Sequence, residues 1–185
     1  MNTTQQIIAL LRNAKIELAP GLSESETARA EAIYGFRFPP DLRELLQTAL
    51  PVGERFLNWR ISPNEFIDKM MEWPLDGLLF DVERNSFWLE SWGEKPTDLE
   101  AAFEIARQKI AMAPRLIPIY AHRFLPATPC ESGNPVFSVH QTDIIYYGSD
   151  LLEYFQNELL RKYDLMGYGT KIRRIPLWSE ITQGE

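Results

Sequence analysis

At Leu116 the apolar spacing of this 185-residue chain changes, and that change restricts the folds open to it. Upstream, apolar residues recur every three or four positions, the period of a helix with one buried face. Downstream, "LIPIY" and "PVFSVHQTDIIYYG" read as extended segments. In the second of these, Val136, Ser138 and His140 fall on one face of a strand, and Phe137 and Val139 on the other. The "QTD" turn then reverses the chain into Ile144, Ile145, Tyr146 and Tyr147, the β-branched and aromatic types that strands favour. This is a β-hairpin, followed after Gly148 by the amphipathic "SDLLEYFQNELLRK", with Ser149 or Asp150 as its cap. Helices, then antiparallel strands, then a helix predict an α+β fold rather than an alternating α/β one.

The upstream helices carry their own boundary signals. Residues 3–18 place Ile7, Leu10, Leu11, Ala14 and Leu18 at helical spacing, predicting one N-terminal helix. Ser23 and Glu26 form a capping-box pattern for a second helix, with Gly35 as its stop. In "FRFPPDLRELLQTAL", Pro40 suits a first helical turn and Asp41 and Glu44 suit the positive end of the dipole. Leu42, Leu45, Leu46 and Ala49 make its apolar stripe, and Pro51 and Gly53 end it. "SPNEFIDKMMEW" predicts a helix with Ser62 as N-cap, Pro63 at N1 and Glu65 at N3. "PLDGLLFDVERN" is a short helix or a strand, and "NSFWLESWGEKP" a strand or extended turn. "TDLEAAFEIARQKIAMA" predicts a helix capped by Thr97, with Leu99, Phe103, Ala106 and Ile110 on one face. The tail, "GYGTKIRRIPLWSEI", has loop composition, a basic "KIRR" and an apolar plug at Ile175, Leu177 and Trp178.

Length alone predicts one domain over residues 1–185. A single cysteine forms no internal disulfide, and the longest apolar run near the N-terminus, "IIALL", is short for a signal peptide or membrane span. The expected location is the cytoplasm, with no membrane partner.

The net charge of −7 has a location. Residues 72–104 hold nine acids and two bases, while the rest of the chain holds 17 of each. The whole excess therefore sits in 33 residues, which also carry Trp73, Trp88 and Trp92. Such a field repels nucleic acid and attracts a basic protein. Its alternative reading is a solvated acidic surface that keeps the chain in solution. Within it, "DVERNSFWLESWGE" combines Asp81, Glu83, Glu90 and Glu94 with Phe87, Trp88 and Trp92, the composition of an interface hot spot. On a strand, Trp88 and Trp92 would share one face, both in the core or both at the surface.

His122, Cys130 and His140 fall within nineteen residues and raise the alternative of a hydrolase or metalloenzyme. Structural zinc sites usually draw ligands from pairs two to five residues apart, and the spacings here are eight and ten. Cys130 lies in the loop-like "ATPCESGNP", without a helix N-terminus to lower its thiol pKa. Asp143 could orient His140, or serve the turn through backbone hydrogen bonds. There is no GxGxxG, Walker loop, HExxH or GxSxG. No catalytic residue, metal or cofactor is assigned, and the expectation is a non-enzymatic binding protein.

Two blocks, "ETARAEAIYGFRFPPDLRELLQTAL" and "LIPIYAHRFLPATPCESGNPVFSVHQTDIIYYGSDLLEYF", resemble the SUKH superfamily, the Smi/Knr type, over residues 23–160. The resemblance implies a mainly antiparallel sheet flanked by helices. It also implies one of two roles: an immunity protein that neutralises a cognate toxin, or a housekeeping regulatory scaffold. It carries no catalytic residues and says nothing of which toxin or which oligomeric state. The extension at 164–185, with "KIRRIPLW", has no counterpart in the resemblance.

Overall fold

The computed structural model describes residues 2–160 and 172–183. The fold is α+β, a four-stranded antiparallel sheet and a two-stranded one with helices packed around them. The sheet's strands are β3 (Leu116–Tyr120), β4 (Arg123–Pro126), β5 (Val136–His140) and β6 (Asp143–Gly148), side by side in chain order. The hairpin is present as expected, with His140 opposite Asp143 and the turn at Gln141 and Thr142. β4 has no counterpart among the sequence expectations: "RFLP" is a short run ending in proline, and its pairing with β3 and β5 makes it a strand.

Both faces of this sheet are covered. Arg123, Ser138 and Tyr147 look toward helix α6 (Leu151–Leu160), where Glu158 meets Arg123 at 3.1 Å. Tyr146, on the opposite face, donates its hydroxyl proton at 2.6 Å to Ser179 Oγ in α7 (Trp178–Gln183). Val136, Phe137, Ser138 and Val139 are consequently all buried, and the strand alternates in direction without alternating in exposure. Arg123 is tolerated there because its guanidinium has three partners. It pairs with Glu158, donates to Ser138 Oγ at 2.9 Å and lies 3.9 Å from the centroid of the Tyr147 ring. Tyr154 of α6 is fully buried, and burial pushes its phenol well above the ordinary range, so it stays protonated.

Helix α1 (Thr3–Asn13) is shorter than the predicted 3–18. Lys15 turns the chain at φ 59°, and residues Glu17–Pro20 form β1, antiparallel to β2 (Ala49–Val52). Leu18 fits a helical stripe by spacing, but its β2 partner Pro51, 33 positions along the chain, captures it. α2 (Glu24–Tyr34) has the capping box expected of Ser23 and Glu26, and ends at Gly35 with φ 66°. α3 (Pro40–Thr48) starts at its proline and buries Leu42, Leu45 and Leu46. It ends at Thr48, where pairing with β1 takes over before Pro51 and Gly53 are reached. Around Trp59, Tyr34 and Phe38 approach edge-on at 5.6 and 5.2 Å, joining α2 to the loop before the next helix.

α4 (Glu65–Arg84) runs straight through Pro74 and absorbs both "SPNEFIDKMMEW" and "PLDGLLFDVERN". Its N-cap is Asn64, whose side-chain oxygen accepts from the amides of Phe66 and Ile67. Ser62, the expected cap, instead donates its hydroxyl to the Trp59 carbonyl at 2.8 Å. α5 (Leu99–Met112) is capped by Asp98 rather than Thr97; a carboxylate answers both the free amides and the positive dipole end. Its buried face is Ala102 and Ala106, with Leu99 exposed, because small residues let α5 pack closely on α4.

The C-terminal plug is real at Ile175 and Trp178, both buried, while Leu177 is half-buried. Trp178 donates its indole N–H to the Pro114 carbonyl at 2.7 Å. The beginning of the 164–185 extension, Lys171 included, lies outside the described residues. So does the end of the "SDLLEYFQNELLRK" segment beyond Leu160. Arg173 of "KIRR" binds Asn134 and Glu131 at 2.6 and 3.1 Å, so it fastens the tail to the β4–β5 loop. Among the described residues, no helix is long and apolar enough to cross a membrane.

Gly77 marks the closest approach of α4 to the hairpin. A Cβ there would stand 2.8 Å from the Cα of Gln141, a backbone atom that cannot rotate away. On an open helix Gly→Ala adds about 1 kcal/mol of stability. Gly77→Ala is expected to do the reverse, costing about 1–3 kcal/mol through overpacking. A lowered thermal midpoint in calorimetry would show it; an unchanged or raised one would contradict the close approach.

Candidate functional site

The acidic segment is a helix–loop–helix: the second half of α4, the loop at residues 85–98, and the start of α5. Its geometry sorts the nine carboxylates into two kinds. Glu72, Asp76, Glu83, Glu90, Glu94, Asp98, Glu100 and Glu104 are exposed, and Asp81 is buried at 3 % exposure. Among the described residues, only Glu83 of these eight is in an ion pair, with its neighbour Arg84 at 3.3 Å. The other ion pairs lie elsewhere, as in Arg60–Glu26 and Arg43–Glu24.

Asp81 therefore leaves the set of surface candidates. One oxygen accepts from the amide and hydroxyl of Thr142, at 2.9 and 2.5 Å, and the other from Asn85 at 2.5 Å. Burial opposes its ionisation. The hydrogen bonds from Thr142 and Asn85 outweigh that and hold its pKa below the usual carboxylate value of 3.8. Its role is to fasten α4 to the hairpin turn.

The loop is not a strand. A 3₁₀ turn at Glu90–Trp92 brings Trp92 against Trp88 edge-on, with ring centroids 5.1 Å apart. The shared-face expectation fails for this reason: Trp92 points inward at 8 % exposure, and Trp88 is half-buried. Phe87, also half-buried, meets Trp92 edge-on at 5.9 Å. The Trp88 indole N–H donates to the Gly93 carbonyl at 2.7 Å. Lys95, one of the two bases of the segment, donates to the Val82 carbonyl at 2.7 Å and stands 5.8 Å from the Trp88 ring. A cation at the last carbonyls of α4 suits the negative end of its dipole. Of the seven residues singled out between 81 and 94, Glu83 at the end of α4 and Glu90 and Glu94 in the loop thus face solvent. Phe87 and Trp88 are partly accessible, and Asp81 and Trp92 belong to the interior.

Sequence reasoning passed over the outer face of α4. Phe66 and Phe80 are exposed there, with Trp73 half-buried between them. Their spacing of seven was visible, but only a helix that continues through Pro74 gives it meaning. On the flank of α4 nearer α2 and α5, a cleft of about 550 Å³ is lined by Met71, Leu75, Ile110 and Trp178. Its charged lining, Asp68 and Glu72 with Arg107 and Arg115, carries both signs. Asp68 already accepts from the Tyr34 hydroxyl, and Arg115 already donates to the Tyr34 carbonyl.

His122, Cys130 and His140 do not converge. His122 stands at the entry to β4 and His140 at the exit of β5, at the same end of the sheet. Cys130 is in the loop joining the other ends, its thiol 3.7 Å from the Phe38 carbonyl. No group of three or more potential metal ligands occurs among the described residues. Burial lowers the pKa of His122 below its ordinary 6.5, helped by the electrostatic influence of Arg123, His140 and Arg55. Compared with models of known families, with curated proteins and with solved structures, the chain has no match.

Removing the Asp81 carboxylate leaves the Thr142 amide and hydroxyl without their acceptor, so Asp81→Ala is expected to cost about 3 kcal/mol. Urea denaturation measures this, and a cost under about 1 kcal/mol would rule out the clamp. Acid acts on two groups in sequence. His122 has a depressed pKa, so the unfolded state binds its proton first, and stability falls as pH drops below about 6.5. Asp81 also has a depressed pKa, so its contribution is full above 3.8 and is lost as pH falls further. A His122→Gln variant should lose the upper part of this decline and keep the lower part.

Proposed function

We propose that this chain is a non-enzymatic binding protein that sequesters a basic protein, acting as an immunity protein toward a toxin. The observation that carries the reading is electrostatic. Eight exposed carboxylates crowd one helix–loop–helix unit, and only Glu83 among them has an ion-pair partner among the described residues. Self-repulsion of this kind is relieved when a cationic surface docks, and it steers that surface in from a distance. The loop is also rigid enough to bind without a large ordering cost. Trp92 is buried beneath it, and Lys95 ties it to α4. The resemblance of the two sequence blocks to SUKH proteins supports the same role.

Cells that express the protein encoded beside this gene are expected to survive only when this chain is co-expressed. Replacing Glu83, Glu90 and Glu94 together with lysine inverts the loop's charge at exposed positions and should abolish protection while leaving the circular dichroism spectrum unchanged. Survival at wild-type levels with the triple variant would move the contact away from the loop. A neighbour harmless by itself would point to the scaffold role.

A further inference from the structure

The C-terminal ends of α2 and α5 meet the β4–β5 loop and the tail around a cleft of about 540 Å³. Among the described residues, the ionisable groups that line it are Arg37, Arg115 and Cys130, with no carboxylate. Both arginines are held from behind. Arg37 stands between Phe36 and Phe38, which are buried and meet Trp59 edge-on at 5.9 and 5.2 Å. Its backbone is fixed by them while its side chain is exposed. Arg115 donates through Nη1 to the carbonyl of Tyr34, the last residue of α2, and lies against Gly35. A Cβ on that glycine would stand 3.6 Å from the same nitrogen. One nitrogen of the Arg115 fork thus answers the negative end of the α2 dipole, and the rest of the fork is left over. Carboxylates on neighbouring residues are engaged: Glu31 accepts from the Phe38 amide at 3.0 Å, and Glu131, next to Cys130, pairs with Arg173 at 3.1 Å. Asp68 and Glu72 line the adjoining cleft, which shares Arg115 and Pro114. Among the described residues, neither forms an ion pair with Arg115, and Arg37 has none at all.

We propose that this cleft binds a small apolar carboxylic acid. Its carboxylate lies between Arg37 and Arg115, and its body rests on Phe36, Pro114, Ala127 and Pro176. A hollow of this size, with apolar walls and a few convergent polar groups, is the usual form of a small-molecule site. Charge selects the head group. Two cations of one sign repel an ammonium and leave a neutral molecule without a partner for either. Planar guanidinium forks match the two oxygens of a carboxylate. The acidic segment does not cancel this preference, because salt at physiological strength screens it beyond about 8 Å. Glu104, its last acid, is eight residues from Met112 along α5, about 12 Å of helix. Met112 itself lines the cleft at 84 % exposure, an unbranched apolar side chain of the kind that closes over irregular surfaces. The site is separate from residues 72–104 and does not depend on what they bind.

Cys130, the sole cysteine of the chain, lines the cleft and reports on its occupancy. The probe is 2-naphthoate, titrated into the full chain by calorimetry. Its controls are 2-naphthamide, the same body without the charge, and inorganic phosphate, an anion without the body. Naphthoate is expected to bind saturably, about tenfold or more tighter than either control, and to weaken as salt rises. It should also slow the alkylation of Cys130 by iodoacetamide, with the same midpoint as the heat. Arg37→Gln, a change at an exposed position, should weaken binding about fivefold or more and leave the circular dichroism spectrum unchanged. Arg115→Lys, which keeps a cation for the Tyr34 carbonyl but loses the fork, should weaken it as well. Absence of saturable heat, equal binding of the amide, or indifference to Arg37→Gln would each overturn the proposal. So would saturation that leaves Cys130 fully reactive, since the acid would then lie elsewhere. Phosphate bound as tightly as naphthoate would also overturn it, because the apolar wall would then contribute nothing.

Discussion

A sheet that is apolar on both faces has to be covered twice, and the remaining architecture follows from that requirement. β5 is buried from Val136 to Val139, so helices must lie on either side of it. α6 supplies one cover and α4 with α7 the other. Double coverage makes any polar side chain on the inner strands costly unless its hydrogen bonds are met locally. Arg123 satisfies the condition through Glu158, Ser138 and the Tyr147 ring. Asn134 does so at the far end of β5, donating to the carbonyls of Pro126 and Pro129.

The same requirement gives the acidic segment its shape. α4 must lie on the sheet along one side, so its charges are confined to the other. The exception is Asp81, which turns inward because the hairpin turn presents two donors to it. Two carboxylates two positions apart on one helix therefore have opposite roles. Asp81 is spent inside the fold, and Glu83, one turn-fraction further along α4, is left to the solvent. The loop that follows behaves likewise, with Trp92 buried as its floor while Glu90 and Glu94 stay outside.

How much was legible depended on how local the cause was. Ser23, Glu26 and Gly35 marked α2 because a capping box and a left-handed stop are completed within a dozen residues. Pro40 opened α3 and the "QTD" turn closed the hairpin for similar reasons. β1 and β2 were invisible because each is a strand only by virtue of the other. The caps of α4 and α5 were each placed too early. Ser62 has a competing acceptor at Trp59, and Asp98 outdoes Thr97 as a charged cap. The segment opening at Pro74, read as a short helix or a strand, continues α4, because Pro74 is buried in the packing that holds the helix together despite its missing N–H.

By itself, the sequence determined the α+β class, the hairpin, the helix starts set by local capping, and the confinement of the whole net charge to residues 72–104. These depend on period, turn chemistry and charge count, which neighbouring residues settle among themselves. Which of those charges and aromatics meet solvent was decided only by tertiary structure. Asp81 and Glu83, or Trp88 and Trp92, are indistinguishable by composition. They differ because a hairpin turn 61 residues away, and a 3₁₀ turn within the loop, draw one member of each pair inward. Burial is a property of what packs against a side chain, and for this segment that partner is distant in the chain.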